Sequence, residues 1–295
     1  MVLYNIFCNA EGLKTYQMSK LIRKLVKKSD PALFYGLHLL SSKKRKAFYT
    51  LVAFEKHIID IVQSNTSINE KMKLLDAWNV ELNDIYTQSQ PSSRLGINIL
   101  KSCAKFPLVQ EDFACALEIA RQELTGSSNI FSIADYNHYC DLTTGAFLRQ
   151  SLRILGCHDQ QLIKNLSECL GQAIQTTIIL SNMRNDAYAG KVYIPQQILK
   201  QADINSQKPS EIIVDNNLSK ARCELGKIAQ SNYIKAFELI NCLDKKTLFR
   251  LRSFAYIYKY CFDAMEKRGW EVISPKPQVK MSTKLRLILR SYLEK

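Results

Sequence analysis

Residues 175 to 195 read QTTIILSNMRNDAYAGKVYIP, and both fold and chemistry turn on whether that stretch is helical. On a helix, residues three or four apart are neighbours, so Asn182, Asn185 and Asp186 share a face while Leu180, Met183 and Ala187 hold the other side. Gly190 then ends the helix where a positive φ costs little, and VYIP leads out to Pro195. The polar spacing is that of an acidic metal site, yet amides stand where carboxylates belong. Spacing alone leaves two readings open: a metal site with asparagines in it, or a solvated polar helix end.

Working outward, apolar residues recur at spacings of three and four over 69–86, 111–124, 160–182, 218–241 and 246–267, and no segment sustains a period of two. The predicted class is therefore all-α. At 295 residues, with ten Gly, seven Pro and no internal repeat, the chain is predicted to form one helical domain over residues 30–295. A basic amphipathic segment, residues 1–29, precedes it. The polar stretches 87–95, 125–129 and 203–217 are predicted loops.

Nine cysteines form no C-x-x-C pair and give no zinc spacing, and the odd count argues against a disulfide framework. His38, His57, His138 and His158 form no ligand spacing either. No secretory signal pattern opens the chain, and no apolar run approaches the length of a spanning helix. The formal net charge is +14, from 41 Lys and Arg against 27 Asp and Glu. The excess is clustered at Lys14–Lys28, Lys43–Lys46 and Lys276–Lys295. No nucleic-acid motif accompanies it, and few aromatics are interleaved with it, so nucleic acid is not the expected partner. An anionic membrane surface or plain solvation fits the charge better.

The opening stretch resembles the second aspartate-rich motif of the squalene/phytoene synthase family, Q-x-T-N-I-x-R-D-x-x-E-D-x-x-x-G-R-V-Y-[LI]-P. Gln175, Thr177, Ile179, Asp186, Gly190, Val192, Tyr193 and Pro195 match it without a gap. Four further segments resemble the family in the right order. They are FYGLHLLSSKKRKAFYTLVAFEKHIIDIV at 34–62, LLDAWNVEL at 74–82, YCDLTTGAFLRQSLRILG at 139–156, and RGWEVIS at 268–274 followed by KLRLILRSYL at 284–293.

The resemblance implies an isoprenoid-synthase-like bundle of helices around a central cavity. It also implies joining of two prenyl diphosphates, the first ionised by Mg²⁺ that two aspartate pairs hold from facing helices. Here the first pair falls on Ile59 and Gln63 and the second on Asn182 and Asp186, so one of four carboxylates remains. Mg²⁺ needs hard oxygen ligands, and an aliphatic side chain supplies none. Asp60 is also acidic but lies about 100° further round the helix than Ile59. Asn182 and Asp186 are thus the remaining candidate ligands, with Asp60 beside the lost pair. Tyr139 matches a tyrosine the family uses in later steps, and Lys56, Gln63 and Tyr193 are expected to face substrate. Leu148 departs from a family glycine, and Thr144 stands beside the retained Gly145.

The expectation that follows is a squalene/phytoene synthase-like pseudoenzyme with a lipid-binding or membrane-complex assembly role, like the branch of the family that supports assembly of respiratory complex I. Its partners would be a prenyl diphosphate or other lipid, an anionic membrane surface or an assembly protein. It would need no cofactor and would lie in the cytoplasm, peripheral at the membrane, or in the mitochondrial matrix of a eukaryote. The alternative is an active Mg²⁺-dependent prenyltransferase acting on farnesyl or geranylgeranyl diphosphate.

Overall fold

The computed structural model describes residues 40–126 and 130–293, apart from the side chains at 246, 248 and 292. The basic cluster at Lys14–Lys28, the proposed boundary near residue 30 and His38 lie outside the described residues. Among those described there is no β-strand. The helices are α1 Ser42–Gln63, α2 Ile68–Thr87, α3 Arg94–Cys103, α4 Gln110–Thr125, α5 Ile133–Cys140, α6 Ala146–Leu155, α7 Gln160–Tyr188, α8 Gln196–Gln201, α9 Pro209–Ile212, α10 Leu218–Ile240, α11 Lys245–Arg268 and α12 Met281–Leu293. A π-helical turn, Asp141–Gly145, joins α5 to α6.

Local chemistry sets many of the helix starts. Ser41, Ser93 and Ser132 accept hydrogen bonds from backbone N–H groups in the first turns they precede. Ser67 with Glu70 forms a reciprocal capping box, satisfying orphan donors at the start of α2. The predicted helices are all present, and the 160–182 segment runs on to Tyr188.

Helical contacts divide the chain into two compact units that interleave in sequence, with residues 146–163 grouped with the N-terminal portion and 129–145 with 164–295. The first unit holds α1 to α4 and α6. Its core has Phe54 of α1 edge-on to Trp78 of α2 and Phe113 of α4, with ring centroids 5.4 and 5.2 Å apart. Buried charge fixes α4 to α6: Arg149 Nε and Arg153 Nη1 each donate to Asp112 at 2.5 Å. Gln150 adds a two-way bridge to the backbone of Val109, at 3.2 and 2.8 Å.

The second unit is built around α7, whose residues 171 to 183 are buried on nearly every side. The contact of α7 with the π turn is close, since a Cβ on Gly171 would lie 3.1 Å from Gly145 Cα. In the same unit Trp270 seats its ring over Gly226 of α10, where a Cβ would meet the indole at 2.4 Å. On α11, Ser253 hydrogen-bonds Ser291 of α12.

Candidate functional site

The first motif lies on α1. Ile59, expected from the resemblance at a ligand position, is 0% exposed, and Gln63 is exposed at the last residue of the helix. Lys56 is buried and ion-paired with the exposed Asp60 one turn on. That contact engages Asp60 with a cation, which opposes its service to a second one. Glu55 stands one turn before Ile59 and on the same stripe, so the helix face that carries Ile59 has a carboxylate at 55. Burial pushes the Glu55 carboxyl up to about 7. The sequence reading did not single out Glu55, although its spacing of four from Ile59 was the available signal.

On the opposite side of α1 from Ile59, His57 lines a cavity of about 350 Å³ with Trp78, Glu81, Ser92, Ser93 and Arg94. Lys56, Ile59, Asp60 and Gln63 do not line it, whereas Leu74, Ala77, Trp78 and Glu81 of the LLDAWNVEL segment do. Burial, then the neighbouring Lys56, lowers the His57 pKa. The Glu81 carboxylate there accepts from the N–H groups of Ser92 and Ser93, at 3.1 and 2.9 Å. Burial would raise its pKa, but these hydrogen bonds outweigh burial and hold Glu81 low. Glu81 therefore anchors the approach to α3.

The second motif lies on α7, and its first residues are structural. Gln175, Thr176 and Thr177 each bond a different element. Thr144 of the π turn donates to Gln175 Oε1 at 2.6 Å, Thr176 pairs with Tyr136 of α5 at 2.6 Å, and Thr177 pairs with Tyr233 of α10 at 2.8 Å. Three consecutive polar side chains are thereby satisfied inside the protein.

One turn further, Asn182 is 4% exposed, and its Nδ2 donates to the carbonyl of Ile178 at 3.1 Å. That bond fixes the amide and leaves Oδ1 buried with no hydrogen-bond partner. Asp186, four residues on, is also buried on this face. Asn185 departs from the shared face expected of it: it is exposed, three residues being about 300° of rotation against 400° for four. Met183 and Ala187 are buried as well, while Arg184, Asn185 and Tyr188 are exposed, so this end of α7 has one buried face and one solvated face. Gly190 follows with φ of 73°, ending the segment as its sequence implied. Tyr139, at the end of α5, stacks on Tyr193 with ring centroids 5.2 Å apart, and both are buried.

Mg²⁺ can be tested against these donors. A buried carbonyl oxygen lacking a donor, with a carboxylate one turn away, fits one hard cation that keeps several waters. The pair supplies a single negative charge, short of what a multi-ion cluster needs. Among the described residues no group of three or more His, Cys, Asp or Glu could hold a metal.

The model for squalene/phytoene synthase matches residues 26–284. The presqualene diphosphate synthase of Sinorhizobium fredii is 27% identical over 257 residues, which cover 87% of this chain and 91% of that protein. The corresponding enzyme of Zymomonas mobilis is 28% identical over 251 residues, 84% of this chain and 83% of its own. Among solved structures, a dehydrosqualene synthase in complex with ligand aligns with a TM-score of 0.80 at 19% identity, covering 94% of this chain and 95% of that one. The squalene synthase HpnC of Alicyclobacillus acidocaldarius aligns at 0.76 and 18%, covering 85% and 94%. At such identities these structures establish the fold, an all-helical isoprenoid-synthase-like one. With 26–284 of 295 residues matched, the chain belongs to the squalene/phytoene synthase family.

Proposed function

We propose that the protein binds a prenyl diphosphate or related lipid without turning it over, serving a binding or membrane-complex assembly role. The observation that carries this reading is Ile59, 0% exposed at the first ligand position of α1. A methyl-bearing side chain there offers no oxygen, and Gln63 offers no charge. Ionising a diphosphate builds negative charge on the leaving group, which a metal clamp stabilises by several kcal/mol. With one of four carboxylates left, that stabilisation is mostly gone. The reading extends to the assembly branch that the family resemblance implies, including support of respiratory complex I.

A second reading, an active prenyltransferase, has its own support. Asn182 Oδ1 is left without a donor beside Asp186, and presqualene diphosphate synthases align with most of the chain. In that case Asn182 and Asp186 would hold Mg²⁺, which supplies Lewis-acid stabilisation of the departing diphosphate. Lys56 and Tyr193 would face substrate, and Tyr139, stacked on Tyr193, would act in the later steps.

One assay separates the two. Purified protein is incubated with farnesyl or geranylgeranyl diphosphate and Mg²⁺ or Mn²⁺, and released diphosphate is measured. The expected result is binding of the prenyl diphosphate with no release above the protein-free control. Release that disappears in Asp186→Ala would overturn the non-catalytic reading in favour of the enzyme.

A further inference from the structure

The last helix buries one side and leaves large apolar residues on the other. On α12, Leu287 and Ser291 face inward, and Ser291 meets Ser253 of α11. Met281, Leu285, Leu289 and Leu293 are 38%, 48%, 62% and 76% exposed. They are spaced by four, so each is about 40° round from the last and the four form one stripe about 120° wide. Helix packing does not account for it, because the packing face is already spoken for. Exposed apolar residues elsewhere form no such stripe: Ile68, Leu74 and Val80 of α2 stand about 120° apart round their helix, and Val214 lies in a loop. A contiguous stripe of this kind marks an interaction surface.

Charge identifies what the surface meets. From Val272 to Leu293 the chain has Lys276, Lys280, Lys284, Arg286 and Arg290 and no acidic residue. Arg286 and Arg290 follow the stripe along one edge, at about 140° and 180° from Met281. The Arg290 guanidinium lies 5.0 Å from the centre of the Tyr256 ring, which holds that edge against α11. An apolar stripe rimmed by cations complements an anionic lipid surface, where the leucines enter the acyl boundary and the cations meet headgroups. A second copy fits worse, since antiparallel two-fold pairing of the stripe would bring the arginine edges together. At 13 residues the helix lies on a bilayer and does not cross it, and no helix among those described is long and apolar enough to do so.

We propose that α12 docks the protein on an anionic membrane, lying flat with Met281, Leu285, Leu289 and Leu293 inserted. This holds whether or not the chain turns over a prenyl diphosphate, so its test and the diphosphate-release assay fail separately.

Vesicle flotation of the full chain is the test, comparing phosphatidylcholine alone with phosphatidylcholine containing about 30% phosphatidylglycerol. The expected result is binding to the anionic vesicles, weakened at about 0.5 M salt. The double variant Leu285→Ser/Leu289→Ser should bind roughly tenfold less with unchanged circular dichroism and Tm, since both side chains are already in water. A Leu289→Trp variant should shift its emission to the blue on anionic vesicles. Equal binding by wild type and the double variant overturns the proposal, as does absence of binding. A dimer in solution that Leu285→Ser/Leu289→Ser dissociates would assign the stripe to a second copy instead.

Discussion

At the positions that the family resemblance marks as metal ligands, the α1 and α7 motifs depart from carboxylates in different ways. On α1 the position that the resemblance assigns to the first ligand is Ile59, which is fully buried and offers no oxygen to a cation. On α7 it is Asn182, which keeps an oxygen, buried and without a donor, one turn from Asp186. Replacement by an aliphatic residue removes both charge and coordination, whereas replacement by an amide removes only charge. By this reading the α1 motif is erased and the α7 motif is discharged.

The largest effect should come from reversing the erased motif. Ile59→Asp with Gln63→Asp should raise diphosphate release above the parent's level by on the order of 10⁴-fold, if the fold accepts a carboxylate at 59. No gain in a folded double variant would mean that the loss on α1 is not what limits turnover. Next is the scaffold of the first unit. Asp112→Ala leaves Arg149 and Arg153 without their shared carboxylate and should cost about 3–5 kcal/mol in urea unfolding.

Glu55 gives a pH signature that belongs to α1 alone. Its folded value, about 7, lies above the ordinary 4.5. Below that ordinary value both states hold the proton; between the two values only the unfolded chain releases it. Stability should thus fall as pH rises from about 4.5 to about 7, by up to about 3 kcal/mol, and level off above. Glu55→Gln should flatten that slope in denaturation midpoints measured across the range. The smallest effect is on the discharged motif: Asn182→Asp should tighten Mn²⁺ binding about tenfold, measured calorimetrically, by adding one charge beside Asp186.

Much of this was legible in the sequence, for local reasons. Helical period places α2, α4, α7, α10 and α11, because it is written within a few residues of where it acts. The identities at 59, 63, 182 and 186 were likewise on the page. Their surroundings were not. Gln175, Thr176 and Thr177 resemble ligand-face residues until their partners Thr144, Tyr136 and Tyr233 are known, and those lie 31 to 56 residues away. Asn185 resembled a companion of Asn182 because three- and four-residue spacings look alike in a string. Only the buried Ile178 carbonyl, by holding one end of the amide, makes Asn182 Oδ1 distinctive.

The π turn at Asp141–Gly145 adds a last consequence. A π turn closes over one more residue than an α turn, so it works as a phase insertion of about 100° between α5 and α6. Tyr139 lies before the insertion, and Phe147 and Leu148 lie after it. Within the second unit the same turn sets Thr144 against Gln175 and Gly145 against Gly171, contacts that a one-residue deletion would lose. Length across this segment is thus as tightly specified as sequence.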